Sequence, residues 1–182
     1  MFARLLLLLL LAFPFAATAQ PSGPEVAVRR VDAGAMQVFE VTASGVVKAA
    51  PAAVWKVLTN YEAMPQFVPD LATTKVLSRT GNRVVIEQSG MARFLFFSRT
   101  IHLVVQAVED PMSSIDINLV SGDMKVYSCR WTLTPLPDGG TRINYSGKLV
   151  PKFYVPSMLG ANLISHDIER MMGAVLQRVD QP

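Results

Sequence analysis

Residues Ala50–Pro69 read APAAVWKVLTNYEAMPQFVP. Pro51 suits the first position of a helix, where its missing N–H has no intrahelical partner to lose. Val54, Trp55 and Leu58 then recur at i, i+1 and i+4, an apolar face of helical period. Asn60 is placed to cap a second turn, whose Tyr61, Met64, Phe67 and Val68 give another apolar face. Pro65 and Pro69 are expected to stop that helix from extending. Upstream, Phe39 to Lys48 reads as an extended segment, so the order is a strand and then two short helices.

Strand signals dominate the chain from Arg83 to Leu149. Arg83 to Ser89 comes after the turn pair Gly81-Asn82, and Thr100 to Val108 ends before Glu109-Asp110-Pro111. Ser114 to Val120 ends at Ser121-Gly122-Asp123. Val126 to Thr134 ends at Pro135, and Pro137-Asp138-Gly139-Gly140 turns the chain into Thr141 to Leu149. In the last two strands the alternation is plain. Tyr127, Cys129, Trp131 and Leu133 share one face, as do Ile143, Tyr145 and Leu149, while Ser128, Arg130, Arg142 and Asn144 point the other way. One apolar and one polar face predicts an antiparallel sheet covered on one side. The cover is the C-terminal segment, where Ala161, Ile164, Ile168, Met172, Val175 and Val179 form an apolar stripe at helical spacing.

Segregated strands and helices predict an α+β layer architecture with six to seven strands. The apolar strand Val46-Val47, the entry Ala50-Pro51, the pair Val54-Trp55, then Asn60-Tyr61, Met64-Pro65, Phe67 and Pro69 resemble the START-like, or Bet v 1-like (SRPBCC), superfamily. More narrowly they resemble its polyketide cyclase/dehydrase and coenzyme Q-binding group, which often has Asp where this chain has Asn60. The resemblance covers roughly residues 38–179. It implies a helix-grip fold, in which a curved antiparallel sheet wraps a long C-terminal helix and leaves a cavity between them.

The chain has 182 residues, and its first 19 have the physics of a secretory signal peptide. Arg4 gives the positive start, Leu5 to Ala12 the apolar run, and Ala17-Thr18-Ala19 a small-x-small cleavage site. The run is shorter than the ~20 residues a spanning helix needs. Residues 20–35 are expected to be a flexible leader and 36–182 the domain. The mature chain, roughly 160 residues, is large enough for one core with an internal pocket. A periplasmic or secreted location follows from cleavage near Ala19.

Seventeen Lys and Arg against 14 Asp and Glu give a net charge of +3, with no basic run, so nucleic acid is not an expected partner. Weak attraction to an anionic membrane surface fits that balance. Cys129 is the only cysteine. It excludes an intramolecular disulfide, and its position on an apolar strand face suits a buried core residue. One Cys and two distant His offer no metal site, and no cofactor motif is present.

By parity, Leu103, Val105, Ile117 and Leu119 join Tyr127, Trp131 and Tyr145 on one apolar face. The resemblance implies that this face lines a ligand cavity rather than a solid core. The tyrosines and the tryptophan each carry a polar handle, and Asn162, Ser165 and His166 on the helix are candidate partners. Phe67 and Met158 complete the expected lining. Gly90 leads into MARFLFF, residues 91–97, where Phe94 and Phe96 read either as a buried hairpin or as an apolar lip flanked by Arg93 and Arg99. Lys152 to Pro156 reads as a rigid aromatic connector. His166-Asp167 resembles a catalytic dyad only in print, because adjacent helical residues do not face each other. No catalytic residue is assigned. The expectation is a monomeric, non-enzymatic binding protein for a lipid, an isoprenoid quinone or a polycycle. The alternatives are an aromatase/cyclase-like enzyme and a partner-binding module with a filled core.

Overall fold

The computed structural model describes residues 23–34, 36–93, 98–153, 155 and 160–181. Eight strands form one antiparallel sheet: β1 (Glu25–Ala33), β2 (Met36–Val47), β3 (Leu71–Thr80), β4 (Arg83–Arg93), β5 (Ser98–Asp110), β6 (Ser114–Gly122), β7 (Met124–Pro135) and β8 (Thr141–Pro151). Their order is β1-β2-β8-β7-β6-β5-β4-β3. The strands from β3 to β8 are a simple meander, which short turns allow. β2 closes onto β8, with Ala43 opposite Tyr145, and β1 pairs back along β2.

After β2 come helix α1 (Pro51–Thr59) and a 3-10 helix, Tyr61–Gln66, while α2 (Gly160–Asp180) ends the fold. Pro51 does open α1, and Val54 and Leu58 are its buried residues. Asn60 makes no side-chain cap, and Pro65 lies inside the 3-10 helix rather than ending it. Pro65 has no N–H to donate, so this short 3-10 segment forgoes one of its i→i+3 bonds there.

Two strands depart from the expectation. The stretch 25–33, expected as part of a loose leader, is an edge strand whose Val26 and Val28 pack on the core. Leu71–Thr80 is a strand as well, paired to β4 across bulges after Leu71 and after Val76. The count is therefore eight. The signal-peptide reading of residues 1–19 lies outside the described residues.

α2 packs across β1, β2 and α1. Gly45 on β2 permits the approach, since a Cβ there would lie 2.5 Å from Leu176 Cδ1. The helix has two unlike halves. Met172, Val175 and Val179 are buried in a close-packed core with Val47, Val54, Leu58, Val84, Leu133 and Ile143. Between Ala161 and Met171 every side chain is half-buried or exposed. Under that half the sheet is not filled.

Candidate ligand cavity

The space under the first half of α2 has two chambers. The inner one has a volume of about 170 Å³. Its wall is made by Leu58 of α1, Tyr61 and Met64 of the 3-10 helix, Ile86 and Gln88 of β4, Val105 of β5, Ile115 and Ile117 of β6, Tyr127, Cys129 and Trp131 of β7, Tyr145 of β8, and Met171 and Val175 of α2. A vestibule of about 270 Å³ adjoins it, lined among others by Leu103, Met91, Ile101 and Ile168. Val68, Leu71, Gln88, Tyr127 and Met171 border both, so the two chambers share a wall. Together the chambers reach the lower part of the ~300–1,000 Å³ range of small-molecule sites.

Six of the expected lining residues, Leu103, Val105, Ile117, Tyr127, Trp131 and Tyr145, are on this wall. Leu119 is half-buried and pairs with Val105 in the register of β5 and β6, but it is not on the wall. Phe67 packs against the core beside the wall, and Met64 and Val68 take its place. Phe67 lies just past the end of the 3-10 helix, where its backbone (φ −136°, ψ −26°) has left the helical winding that aligns Tyr61 with Met64. Asn162 and His166 are exposed and do not reach the cavity. At 3.6 residues per turn Asn162 sits about 100° and His166 about 140° around the helix from Ala161, away from its stripe. Ser165 instead hydrogen-bonds Glu169 on its own helix. Phe94, Phe96 and Met158 lie outside the described residues, as do Tyr154 and Pro156 of the connector, whose Phe153 ring sits 4.8 Å from the Arg99 guanidinium.

The wall also includes Tyr61, Met64, Ile86, Gln88, Met171 and Leu71, which sequence reasoning does not find. For Met171 a signal exists, because it follows Ile164 and Ile168 at i+7 and i+3. Gln88 carries no signal, being a polar residue that β-alternation places inward beside Ile86.

The polar content of the inner chamber is a cluster on β7 and β8. The Cys129 thiol lies 3.8 Å from the Tyr127 hydroxyl. Trp131 meets Tyr145 edge-on, with ring centroids 4.9 Å apart. Burial pushes the Cys129 thiol up to about 11, partly offset by hydrogen bonds with Tyr127 and Tyr145. The neighbouring Cys129, together with burial, drives the Tyr127 phenol well above its ordinary range. Burial does the same to Tyr145, reinforced by Cys129 and Tyr127. All three are protonated and neutral at physiological pH.

Charge is confined to the mouth. Asp70, at the turn into β3, bonds Arg93 Nε of β4 at 2.6 Å and Arg170 of α2 at 2.7 Å. This clasp ties the helix to the sheet arm across the vestibule. Beside the inner chamber, Tyr61 donates to the buried Glu109 carboxylate at 2.9 Å, and Arg79 holds its other oxygen at 2.8 Å. A larger groove of about 470 Å³ runs over the outer face of the sheet, lined by Glu40, Asp116, Arg130 and Lys148 among others. It is open and polar, and its charges pair with one another.

A curved open sheet gripping a C-terminal helix, with the hollow between them, defines the helix-grip class. The solved structures agree. A START superfamily protein from Mycobacterium smegmatis matches with a TM-score of 0.68 at 18% identity, over 78% of this chain and 97% of its own. A STAR-related lipid transfer protein from Xanthomonas axonopodis matches with a TM-score of 0.67 at 18% identity, over 85% and 99%. The Zhui aromatase/cyclase from Streptomyces sp. R1128 matches with a TM-score of 0.65 at 14% identity, over 79% and 94%. No curated protein matches the chain in sequence. Residues 47–176 match the family described as polyketide cyclase / dehydrase and lipid transport, and the chain belongs to that family.

Proposed function

We propose that this protein is an exported carrier that holds one apolar small molecule, a lipid, isoprenoid quinone or polycycle, in the hollow under the first half of α2. The observation that carries the reading is the pair of adjoining, largely apolar chambers under the helix, with the Asp70 clasp beside the outer one. An apolar ligand crossing water gains roughly 25 cal/mol per Å² of buried apolar surface, before the costs of association. The lipid transfer neighbour supports such a role. The leader at residues 1–19 supports export, with delivery to the periplasm as a monomer.

An aromatase/cyclase activity is the second reading, supported by the Zhui neighbour. Against it stands the wall chemistry. A general base works best with a pKa near the operating pH, whereas Cys129 and both cavity tyrosines are pushed upward and hold their protons. Delivery at a membrane would use the segment 94–97, flanked by Arg93 and Arg99, as the edge that meets anionic headgroups. Unchanged liposome binding and ligand loading in a Phe94→Ser/Phe96→Ser variant would remove that part of the proposal.

The test is native mass spectrometry of the secreted mature protein, followed by organic extraction. A defined co-purifying apolar molecule supports the carrier. Empty protein that also takes up no apolar fluorescent probe overturns it.

A further inference from the structure

We infer that the inner chamber selects a neutral ligand carrying a hydroxyl or carbonyl oxygen on an otherwise apolar frame, recognised by Tyr127, Tyr145, Cys129 and Gln88. The inference rests on the carrier reading and names its ligand class.

Among the described residues the inner wall contains no charged side chain; Asp70, Asp167 and Arg170 border the vestibule instead. A carboxylate or phosphate pushed to the inner end would lose its hydration with no countercharge, which is prohibitive. The inner wall is not purely apolar either. The Tyr127 hydroxyl and Cys129 thiol lie together, and Tyr145 joins them. Gly147 makes the room. A Cβ on it would stand 3.1 Å from the Tyr145 hydroxyl and 3.1 Å from Cys129 Cβ. The absent side chain is what lets a phenol occupy this part of the sheet.

A second polar position comes from the other arm of the sheet. Gln88 borders both chambers and brings an amide with donors and an acceptor. A ligand oxygen supplies acceptors to the Tyr–Cys–Tyr donors or to the amide, and a ligand hydroxyl can also donate. A bare hydrocarbon supplies neither, so it gains only the apolar part of the site.

The test is a fluorescence titration of the mature protein with three probes on one frame: naphthalene, 2-naphthol and 2-naphthoate, at neutral pH. The expected order is 2-naphthol about tenfold tighter than naphthalene, the scale of one or two net hydrogen bonds, with the anion weakest. In a Tyr127→Phe/Gln88→Leu variant, checked for folding by its thermal transition, the naphthol-to-naphthalene ratio falls towards one. Tyr145→Phe serves if that variant does not fold. Equal binding of the two neutral probes, a tightest-binding anion, or a ratio that survives the substitutions overturns the inference and leaves the carrier standing. If none of the three binds, the carrier reading falls and this one with it.

Discussion

Asp70 and Arg170 are joined at 2.7 Å, and through that contact the C-terminal helix is fastened to the turn that opens β3. Asp70 has a φ of 61°, a left-handed conformation that Asn also adopts readily. Asp70→Asn therefore removes the charge and keeps the backbone. The carboxylate is mostly buried while Arg93 is mostly exposed, so the loss falls between surface and buried ion pairs, about 1–2 kcal/mol. Urea denaturation should show it. Vestibule opening should show separately, as faster release of a bound apolar probe.

The same residue gives an acid dependence. Burial raises the Asp70 carboxyl, but hydrogen bonds and charge from Arg93 and Arg170 outweigh it and hold it below the usual carboxylate range. A depressed folded-state pKa means stability that is present above the unfolded value and lost as pH falls through the folded one. Stability should thus decline below about pH 4, and the decline should be shallower in Asp70→Asn.

At the alkaline end the sign reverses. Tyr127 and Tyr145 are raised by burial and by the Cys129 cluster, and Tyr61 by burial and the Glu109 carboxylate. Raised folded-state values mean stability that is full below the unfolded phenol value and drains away above it. Melting temperature should drop steeply above about pH 10. Cys129, raised to about 11 and buried, should react with a disulfide reagent at about pH 8 only at the rate of unfolding. Fast labelling of the native protein would contradict the burial of this wall.

Tyr61→Phe leaves the Glu109 carboxylate buried with Arg79 but without its phenol donor. A hydrogen bond to a charged acceptor is worth about 2 kcal/mol. That loss should appear in chemical denaturation with an unchanged slope, since the packing ring remains.

Gly45→Ala drives a methyl into Leu176, at 2.5 Å from Cδ1. Overpacking of this kind costs about 1–3 kcal/mol. Adding Leu176→Ala should recover part of it, so the double variant loses less than the two single losses together.

Much of this architecture is legible in the order of residues alone. Strands β4 to β8 announce themselves by alternation and by turn residues, and α2 by its stripe. β3 does not, because bulges after Leu71 and Val76 break the period of two that reveals a strand. β1 does not, because Arg29-Arg30 interrupts its apolar alternation on an exposed edge. The cavity wall is half legible. Parity finds the β5, β6, β7 and β8 contributions, but the apolar face of Tyr61, Met64, Phe67 and Val68 does not say which members reach the hollow: Met64 and Val68 do, while Phe67, just past the end of the 3-10 helix, packs beside it. No pattern marks Gln88, whose importance comes only from the strands it lies between.

The two halves of α2 have different employments. Met172 and Val179 hold the fold together, while Ile168, Met171 and Val175 face the hollow. On the sheet the two duties coincide, since Ile86, Val105, Ile115, Trp131 and Tyr145 belong both to the buried core and to the cavity wall. Cargo can therefore be traded with least danger to the scaffold at the half-buried positions of the helix, where a substitution leaves that shared wall untouched.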